Sequence, residues 1–87
     1  MLYLLECTDG SLYAGITPDL AARYAKHCAG RGGAYTRSHP PRRILAVMPC
    51  ADRGAATRAE IALKKQPRAE KLRWAQQWAW SGADDGG

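Results

Sequence analysis

The stretch LYLLECTDGSLYAG, at residues 2–15, constrains the fold more than any other part of the sequence. Its apolar and aromatic residues flank a polar segment with a glycine, which is typical of two antiparallel strands joined by a tight turn. The number of loop residues decides which side chains share a face, because side chains alternate along a strand. A two-residue turn at Asp9-Gly10 would put Tyr3 and Tyr13 on opposite faces of the sheet.

A three-residue loop, Thr8-Asp9-Gly10, is the register that the apolar pattern favours. Gly10 then takes the left-handed position of a type I turn with a G1 bulge. The predicted pairs are Cys7 with Ser11, Leu5 with Tyr13, and Tyr3 with Gly15. This register collects apolar side chains on one face, namely Leu2, Leu4, Leu12, Ala14 and Ile16. Both tyrosines then share the other face, where Gly15 is expected to leave an open floor for a ligand or another backbone.

Length and composition indicate one small domain with a polyanionic partner. The 87 residues are 46% hydrophobic, which suits a single thin core, so we predict one domain over residues 1–80 and a disordered tail at residues 81–87. The formal net charge of +5 favours nucleic acid as the partner. No leader or membrane span is expected, and the three scattered cysteines are expected to be buried reduced thiols, so the predicted location is the cytoplasm.

The segment Thr17-Pro18-Asp19 predicts the start of a helix that runs from Pro18 to about Cys28. Its buried stripe is expected to consist of Leu20, Tyr24 and Cys28. Arg23 and His27 are four residues apart and would therefore lie on the same border of that stripe. Taken singly, such residues are more often solvated surface groups. Close to a hairpin that carries two tyrosines, they form a candidate site.

The rest of the sequence predicts one more strand and two more helices. Residues 43–50 carry apolar side chains on both faces, so we expect a mostly buried strand beside the hairpin. Asp52 can cap a helix that runs to about Lys65, and Pro67 separates it from a last helix. The side chains of that last helix that are expected to pack against the rest of the domain are Leu72, Ala75, Trp78 and Ala79. The predicted class is α+β, a three-stranded antiparallel sheet flanked by helices in β-β-α-β-α-α order.

These residues resemble the GIY-YIG nucleases, especially their small single-domain bacterial branch. The first motif falls on Met1-Leu2-Tyr3 and the second on Tyr13-Ala14-Gly15. The segments KHCAGRGGAYTR, DRGAATRAEIALKK and RAEKL extend the resemblance to about Trp74. The departures from the family pattern are Met1, Ala14, Ala22 and the pair Gln66-Pro67. Only the one at Ala22, where the branch often has a second arginine, would remove a phosphate contact.

The resemblance implies a metal-dependent endonuclease that hydrolyses DNA phosphodiester bonds. Tyr13, or alternatively Tyr3, would orient and deprotonate the attacking water, and His27 would assist the proton relay. Arg23 would hold the scissile phosphate. Glu60 would bind one Mg²⁺ or Mn²⁺ ion beside the leaving oxygen, since a lone carboxylate suits a hard cation that keeps most of its waters.

Further residues are expected to contact the nucleic acid. Lys64, one helical turn after Glu60, would compensate phosphate charge, although on the residues alone the pair is more simply a surface salt bridge worth under about 1 kcal/mol. The other expected contacts are Gly15, Arg31, Tyr35, Arg37 and Lys65. Because the chain lacks a recognition helix, single-stranded or branched DNA is the expected substrate, in repair or recombination, for a monomer or weak dimer.

Two other classes of function stay open at this point. The domain could be a nucleic-acid-binding module that has lost cleavage. It could also be an adaptor that docks on a larger DNA-repair assembly through exposed C-terminal tryptophans, of which the chain has Trp74, Trp78 and Trp80.

Overall fold

Residues 1–80 form a three-stranded antiparallel sheet that packs with four helices. We describe residues 1–80 of a computed structural model; the tail predicted at residues 81–87 lies outside these described residues. The elements are β1 (Leu2–Cys7), β2 (Leu12–Ile16), α1 (Leu20–Cys28), α2 (Ala34–Ser38), β3 (Pro41–Met48), α3 (Arg53–Lys64) and α4 (Arg68–Gln77). The strand order is β2-β1-β3. The predicted fold class is confirmed, and the short helix α2 is an addition to the predicted order.

The β1–β2 hairpin has the register predicted for a three-residue loop. The observed pairs are Tyr3 with Gly15, Leu5 with Tyr13 and, through a hydrogen bond of 2.9 Å, Cys7 with Ser11. Gly10 has a φ of 85°, a left-handed conformation that costs a residue with a Cβ atom about 1–2 kcal/mol. The turn therefore fixes both tyrosines on one face of the sheet.

Each face of the sheet has its own buried cluster. The first cluster is apolar, lies under α3 and α4, and consists of Leu2, Leu4, Ala14, Ala46, Leu63 and Ala75. Leu12 and Ile16 are partly buried against it, on the face predicted for them. The second cluster lies on the opposite face against α1 and consists of Tyr3, Leu5, Leu20 and Ile44. The sheet thus separates an apolar core from the face that carries the phenols.

Helix α1 begins later than predicted and buries a different residue at its end. Asp19, rather than Thr17, is the N-cap, and its carboxylate accepts a hydrogen bond from a helix N–H. The Thr17 hydroxyl instead accepts the N–H of Asp19 at 3.1 Å, before the helix begins. Leu20 and His27 are buried, whereas Cys28 is exposed. The predicted stripe was therefore wrong by one residue at its C-terminal end.

Strand β3 is shifted by two residues relative to the prediction. Its pairing with β1 extends to Cys7 opposite Pro41 and includes two register irregularities, so the strand starts before residue 43 and ends at Met48. Helix α3 begins where predicted, because the Asp52 carboxylate accepts the Ala55 N–H at 2.7 Å. Of the three free cysteines, Cys7 alone is buried, so the expectation of three buried thiols was wrong.

The last helix ends earlier than predicted, and the chain then runs beside β3. Ala46 and Ala79 form an isolated antiparallel bridge there. Ala75 is buried, as predicted, but Leu72 within α4 is exposed, so that part of the predicted stripe was wrong. Ala79 is exposed and lies outside the helix, because α4 stops at Gln77. The three tryptophans are half-buried and pack against the two core clusters. None of the helices within residues 1–80 is long and apolar enough to cross a membrane.

Candidate active site

His27 is the centre of the candidate site. Its side chain is buried, its Nε2 atom lies 2.9 Å from the Tyr3 hydroxyl, and its Nδ1 atom lies 2.7 Å from the Thr36 hydroxyl. The ring centroids of Tyr3 and Tyr13 lie 5.9 and 5.3 Å from the imidazole centroid, in edge-on arrangements. The hairpin register that puts both tyrosines on one face therefore brings both phenol rings to one imidazole.

Arg23 completes this group from one turn earlier on α1. Its Nη2 atom donates to the Gly32 carbonyl at 3.0 Å, which holds the half-buried side chain against the loop after the helix. Hydrogen bonding with Tyr3 is the main cause that raises the pKa of the Arg23 guanidinium, and Tyr13 adds to it. The guanidinium is therefore a permanent positive charge near both phenol groups.

The two tyrosines differ in their environment. Tyr3 is 1% exposed, and desolvation raises its pKa in spite of the opposing effect of Arg23. Tyr13 is half-buried. At neutral pH Tyr3 is therefore a neutral phenol enclosed in the protein. Tyr13 is the phenol with access to a ligand in solution.

Burial controls the charge of His27. Desolvation lowers the pKa of the imidazole, and the nearby Arg23 charge lowers it further. The groups that face the ring are Tyr3 on β1, Tyr13 on β2, Arg23 on α1 and Thr36 on α2. None of these is a carboxylate that would stabilise an imidazolium. The ring is therefore neutral at pH 7.

This depressed pKa predicts that the protein loses stability in mild acid. The unfolded chain binds a proton at His27 near pH 6.5, whereas the folded chain does so only at lower pH, so the free energy of unfolding falls as the pH drops below about 6.5. Urea unfolding at pH 7.5, 6.5 and 5.5 measures this. His27→Gln should remove this dependence on pH. The prediction would be contradicted if the free energy of unfolding of His27→Gln fell with pH as steeply as that of the wild type.

Helix α3 brings an acid and a base to the edge of the tyrosine site. The Glu60 carboxylate and the Lys64 ammonium form an ion pair of 3.2 Å, and Glu60 is the more enclosed partner. The Lys64 Nζ atom lies 6.0 Å from the centroid of the Tyr13 ring. The charge of Glu60 is one of the smaller influences that raise the pKa of Tyr3. The predicted acid thus lies within electrostatic reach of the phenols.

Tyr35 packs over Tyr13 and extends the group of rings to the surface. The two rings are stacked with centroids 5.4 Å apart, and Tyr35 is also stacked on His39 at 4.2 Å. His39 in turn lies 3.6 Å from the Asp9 carboxylate in the β1–β2 turn. Tyr35 is 38% exposed, so it combines ring packing inside the protein with an accessible edge.

Two glycines leave the space that the site needs. A Cβ atom at Gly15 would overlap the Tyr3 hydroxyl and lie 2.6 Å from its Cζ atom. A Cβ atom at Gly32 would overlap His27 Nδ1 and lie 2.6 Å from its Cε1 atom. Gly15 is buried under the Tyr3 ring, so the expectation of an open floor for a ligand was wrong. The space at Gly15 is taken by a side chain of the site itself.

Other residues expected at the site lie outside this group. Arg31, Arg37 and Lys65 are exposed, and no hydrogen bond or ion pair within residues 1–80 joins them to the phenols. Arg37 instead approaches the Gly30 carbonyl at 3.4 Å. Thr36 was not expected at the site, because it lies between the first predicted helix and the third predicted strand, where the predicted order has no helix. Helix α2 occupies this segment and brings the Thr36 hydroxyl to His27.

A comparison with protein families decides the identity of the domain. The model of the GIY-YIG catalytic domain matches residues 1–73, the part of the chain that contains Tyr3, Tyr13, Arg23 and Glu60. The chain belongs to the GIY-YIG family. This is a nuclease superfamily, so the family resemblance stated above from the two tyrosine motifs is confirmed.

Several small bacterial GIY-YIG proteins are similar to this one over most of its length. A UPF0213 protein of Xanthomonas campestris is 56% identical over 75 residues, which are 86% of this chain and 74% of that protein. A UPF0213 protein of Cupriavidus pinatubonensis is 49% identical over 71 residues, which are 82% of this chain and 79% of that protein. The solution NMR structure of a UPF0213 protein from Bacillus halodurans matches with a TM-score of 0.55 and 36% identity, covering 87% of this chain and 81% of that one.

Proposed function

We propose that this GIY-YIG protein is a divalent-metal-dependent endonuclease that hydrolyses DNA phosphodiester bonds, with a preference for single-stranded or branched DNA. The observation that supports this proposal is the convergence of Tyr3, Tyr13 and Arg23 around His27, beside the carboxylate of Glu60. These groups supply the functions that phosphodiester hydrolysis needs: a proton acceptor for water, a positive charge at the phosphate and an oxygen ligand for a cation.

Tyr13 is our candidate for the group that orients and deprotonates the attacking water. It is half-buried, whereas the Tyr3 hydroxyl is enclosed and already hydrogen-bonded to His27. Arg23 would hold the scissile phosphate, because its guanidinium lies near both phenols and remains charged. Lys64, 6.0 Å from the Tyr13 ring centroid, would add positive charge at the same phosphate. Nearby cations lower the cost of forming a phenolate, which is otherwise a poor base at pH 7.

Glu60 fits a site for one hard cation. No group of three or more His, Cys, Asp or Glu side chains able to hold a metal is present within residues 1–80, so a closed protein cage is excluded for that part of the chain. A single carboxylate is what Mg²⁺ or Mn²⁺ needs when water and substrate phosphate supply the other ligands. When bound, the ion would polarise the phosphate and stabilise charge on the leaving oxygen. Glu60 would have to exchange its ion pair with Lys64 for this role.

The choice of substrate follows from what the chain can contact. The net charge of +5 favours a polyanion but provides no sequence readout. The Tyr35 ring is already stacked against Tyr13 and His39, but the residue is 38% exposed, so its accessible part can contact an unpaired base beside the phenols. We therefore propose that the protein cleaves single-stranded, forked or flapped DNA. It would act in repair or recombination in the bacterial cytoplasm, as a monomer or weak dimer.

Replacing the metal ligand tests the proposal. We expect the wild-type protein to cleave labelled single-stranded or forked oligonucleotides with Mg²⁺ or Mn²⁺ and to lose cleavage when the ion is chelated. Glu60→Gln should reduce kcat by about 10³-fold, because it removes the carboxylate that holds the ion. Glu70→Gln is the matched control, since Glu70 pairs with Arg73 on α4 and should not affect the rate.

The outcomes distinguish the three classes of function. Cleavage that survives both Glu60→Gln and chelation would refute the proposed mechanism and point to a contaminating nuclease. Oligonucleotide binding without cleavage by the wild-type protein would favour a non-catalytic binding module. Absence of both would favour an adaptor, although the half-buried tryptophans offer no large exposed aromatic surface for that role.

A further inference from the structure

Three buried polar side chains form a hydrogen-bonded chain within the candidate site. Tyr3, His27 and Thr36 are each 1% exposed and come from β1, α1 and α2. The Tyr3 hydroxyl lies 2.9 Å from His27 Nε2, and the Thr36 hydroxyl lies 2.7 Å from His27 Nδ1. Each ring nitrogen of the histidine therefore has one protein partner. Because all three side chains are buried, water has little access to either hydrogen bond.

The proton on a neutral imidazole fixes the direction of such a chain. One ring nitrogen donates and the other accepts, so the hydrogen bond at Nδ1 decides what Nε2 can do. If Thr36 accepts from Nδ1–H, Nε2 accepts the proton of Tyr3. If Thr36 donates to Nδ1, Nε2–H points at the Tyr3 oxygen. Only the first arrangement lets the imidazole receive a proton from the phenol.

Arg23 selects between these two arrangements. Its positive charge lowers the pKa of the Tyr3 phenol, against the effect of burial, and a guanidinium offers no acceptor for the phenol proton. The acceptor at hydrogen-bond distance is His27 Nε2, 2.9 Å away. The phenol is therefore the donor to His27 Nε2, and His27 Nδ1–H donates to Thr36.

We propose that Thr36 is a positioning residue for the nuclease site: it accepts the Nδ1 proton of His27 and thereby holds Nε2 ready for the proton of Tyr3. This inference rests on the proposed function for its catalytic meaning and on the buried geometry for the tautomer. Thr36 contacts His27 and acts through it. In the resulting array Tyr3 stays fixed over Gly15, with its hydroxyl directed at His27 Nε2.

The tautomer can be measured without any assay of activity. Long-range ¹H–¹⁵N NMR spectra of the free protein at pH 7 show whether each ring nitrogen of His27 carries a proton. We expect a protonated Nδ1 and an unprotonated Nε2 in the wild type and in Thr36→Ser, which keeps the hydroxyl. Thr36→Val keeps the shape but removes the acceptor, so its spectrum should shift towards the Nε2–H tautomer. The spectrum of His39, which does not contact Thr36, is the internal control.

Cleavage by the same variants tests the catalytic part of the inference. With equal oligonucleotide binding and equal thermal unfolding, Thr36→Val should lower kcat about tenfold or more with little change in KM, and Thr36→Ser should restore most of the rate. A wild-type Nε2–H tautomer or an imidazolium at pH 7 would overturn the inference, and that spectrum suffices even if Thr36→Val does not fold. A wild type with the expected tautomer but no cleavage would refute the proposed function and leave the tautomer assignment standing.

Discussion

Arg23→Ala should abolish most DNA cleavage while leaving the domain folded. The variant removes the one guanidinium that lies near both phenol groups, and losing a preorganised positive group of this kind costs about 10²–10³-fold in kcat. Arg23→Lys should recover little, because an ammonium lacks the planar fork that can donate to the Gly32 carbonyl and to a phosphate at the same time. Single-turnover cleavage of a forked oligonucleotide measures the effect separately from binding.

Arg53→Ala is the matched control for this prediction. Arg53 is an exposed arginine in the first turn of α3, at a surface hollow that it shares with Met1, Cys50 and Asp52 and not with the phenols. Both variants lower the net charge by one unit, so a general electrostatic contribution to DNA binding should fall equally in both. Equal rates in Arg23→Ala and Arg53→Ala would show that Arg23 acts only through general charge, against the role we assign to it.

Gly32→Ala should destabilise the protein by about 3 kcal/mol and lower its melting temperature by roughly 10–20 °C. The added Cβ atom would overlap the His27 ring, which is buried and held at both nitrogens, so the ring cannot move aside without losing a hydrogen bond. The Gly32 carbonyl is also the acceptor for Arg23. Thermal and urea unfolding measure the loss of stability, and oligonucleotide cleavage should fall with it.

Gly54→Ala provides the control for the glycine substitution. Gly54 lies in the first turn of α3, and a Cβ atom there would meet only the side-chain ends of Asp52 and Arg58, at 3.3 and 3.4 Å. Alanine is the better helix former by up to about 1 kcal/mol, which offsets the small shift that these two side chains must make, so this variant should lose far less stability than Gly32→Ala. A Gly32→Ala protein with wild-type stability would mean that the His27 ring is not fixed as described.

The sequence allowed the hairpin and the position of the tyrosines to be predicted in detail. Three local facts were sufficient: the apolar alternation, the Thr8-Asp9-Gly10 loop and the requirement for φ above zero at Gly10. Local chemistry also identified the cap at Asp52 and the break at Pro67. These features depend on residues near one another in the chain, which is why the sequence pattern predicts them.

The buried hydrogen-bonded chain of Tyr3, His27 and Thr36 could not be predicted in the same way. His27 reads as a surface residue of α1, and its burial results from β1 and α2 closing over it. Helix α2 has five residues, no side-chain cap and two preceding glycines, so no periodic pattern marks it. Thr36 therefore has a role only after the tertiary structure is known. Likewise, no local sequence signal predicts that the residues after Gln77 leave the helix and run beside β3.

The most direct test of the proposed site is to locate a bound Mn²⁺ ion in the presence of single-stranded DNA. Tyr13→Phe protein, in which cleavage should be blocked while Glu60 and Arg23 remain, allows NMR spectra to be recorded with an intact oligonucleotide. We expect paramagnetic broadening to be strongest for amide signals around Glu60 and next for those around Tyr3 and residue 13, and to be absent in the additional variant Glu60→Gln. Broadening centred on α4 or on the start of α3 near Asp52, with the Glu60 signals unaffected, would contradict the assignment of this surface as the nuclease site.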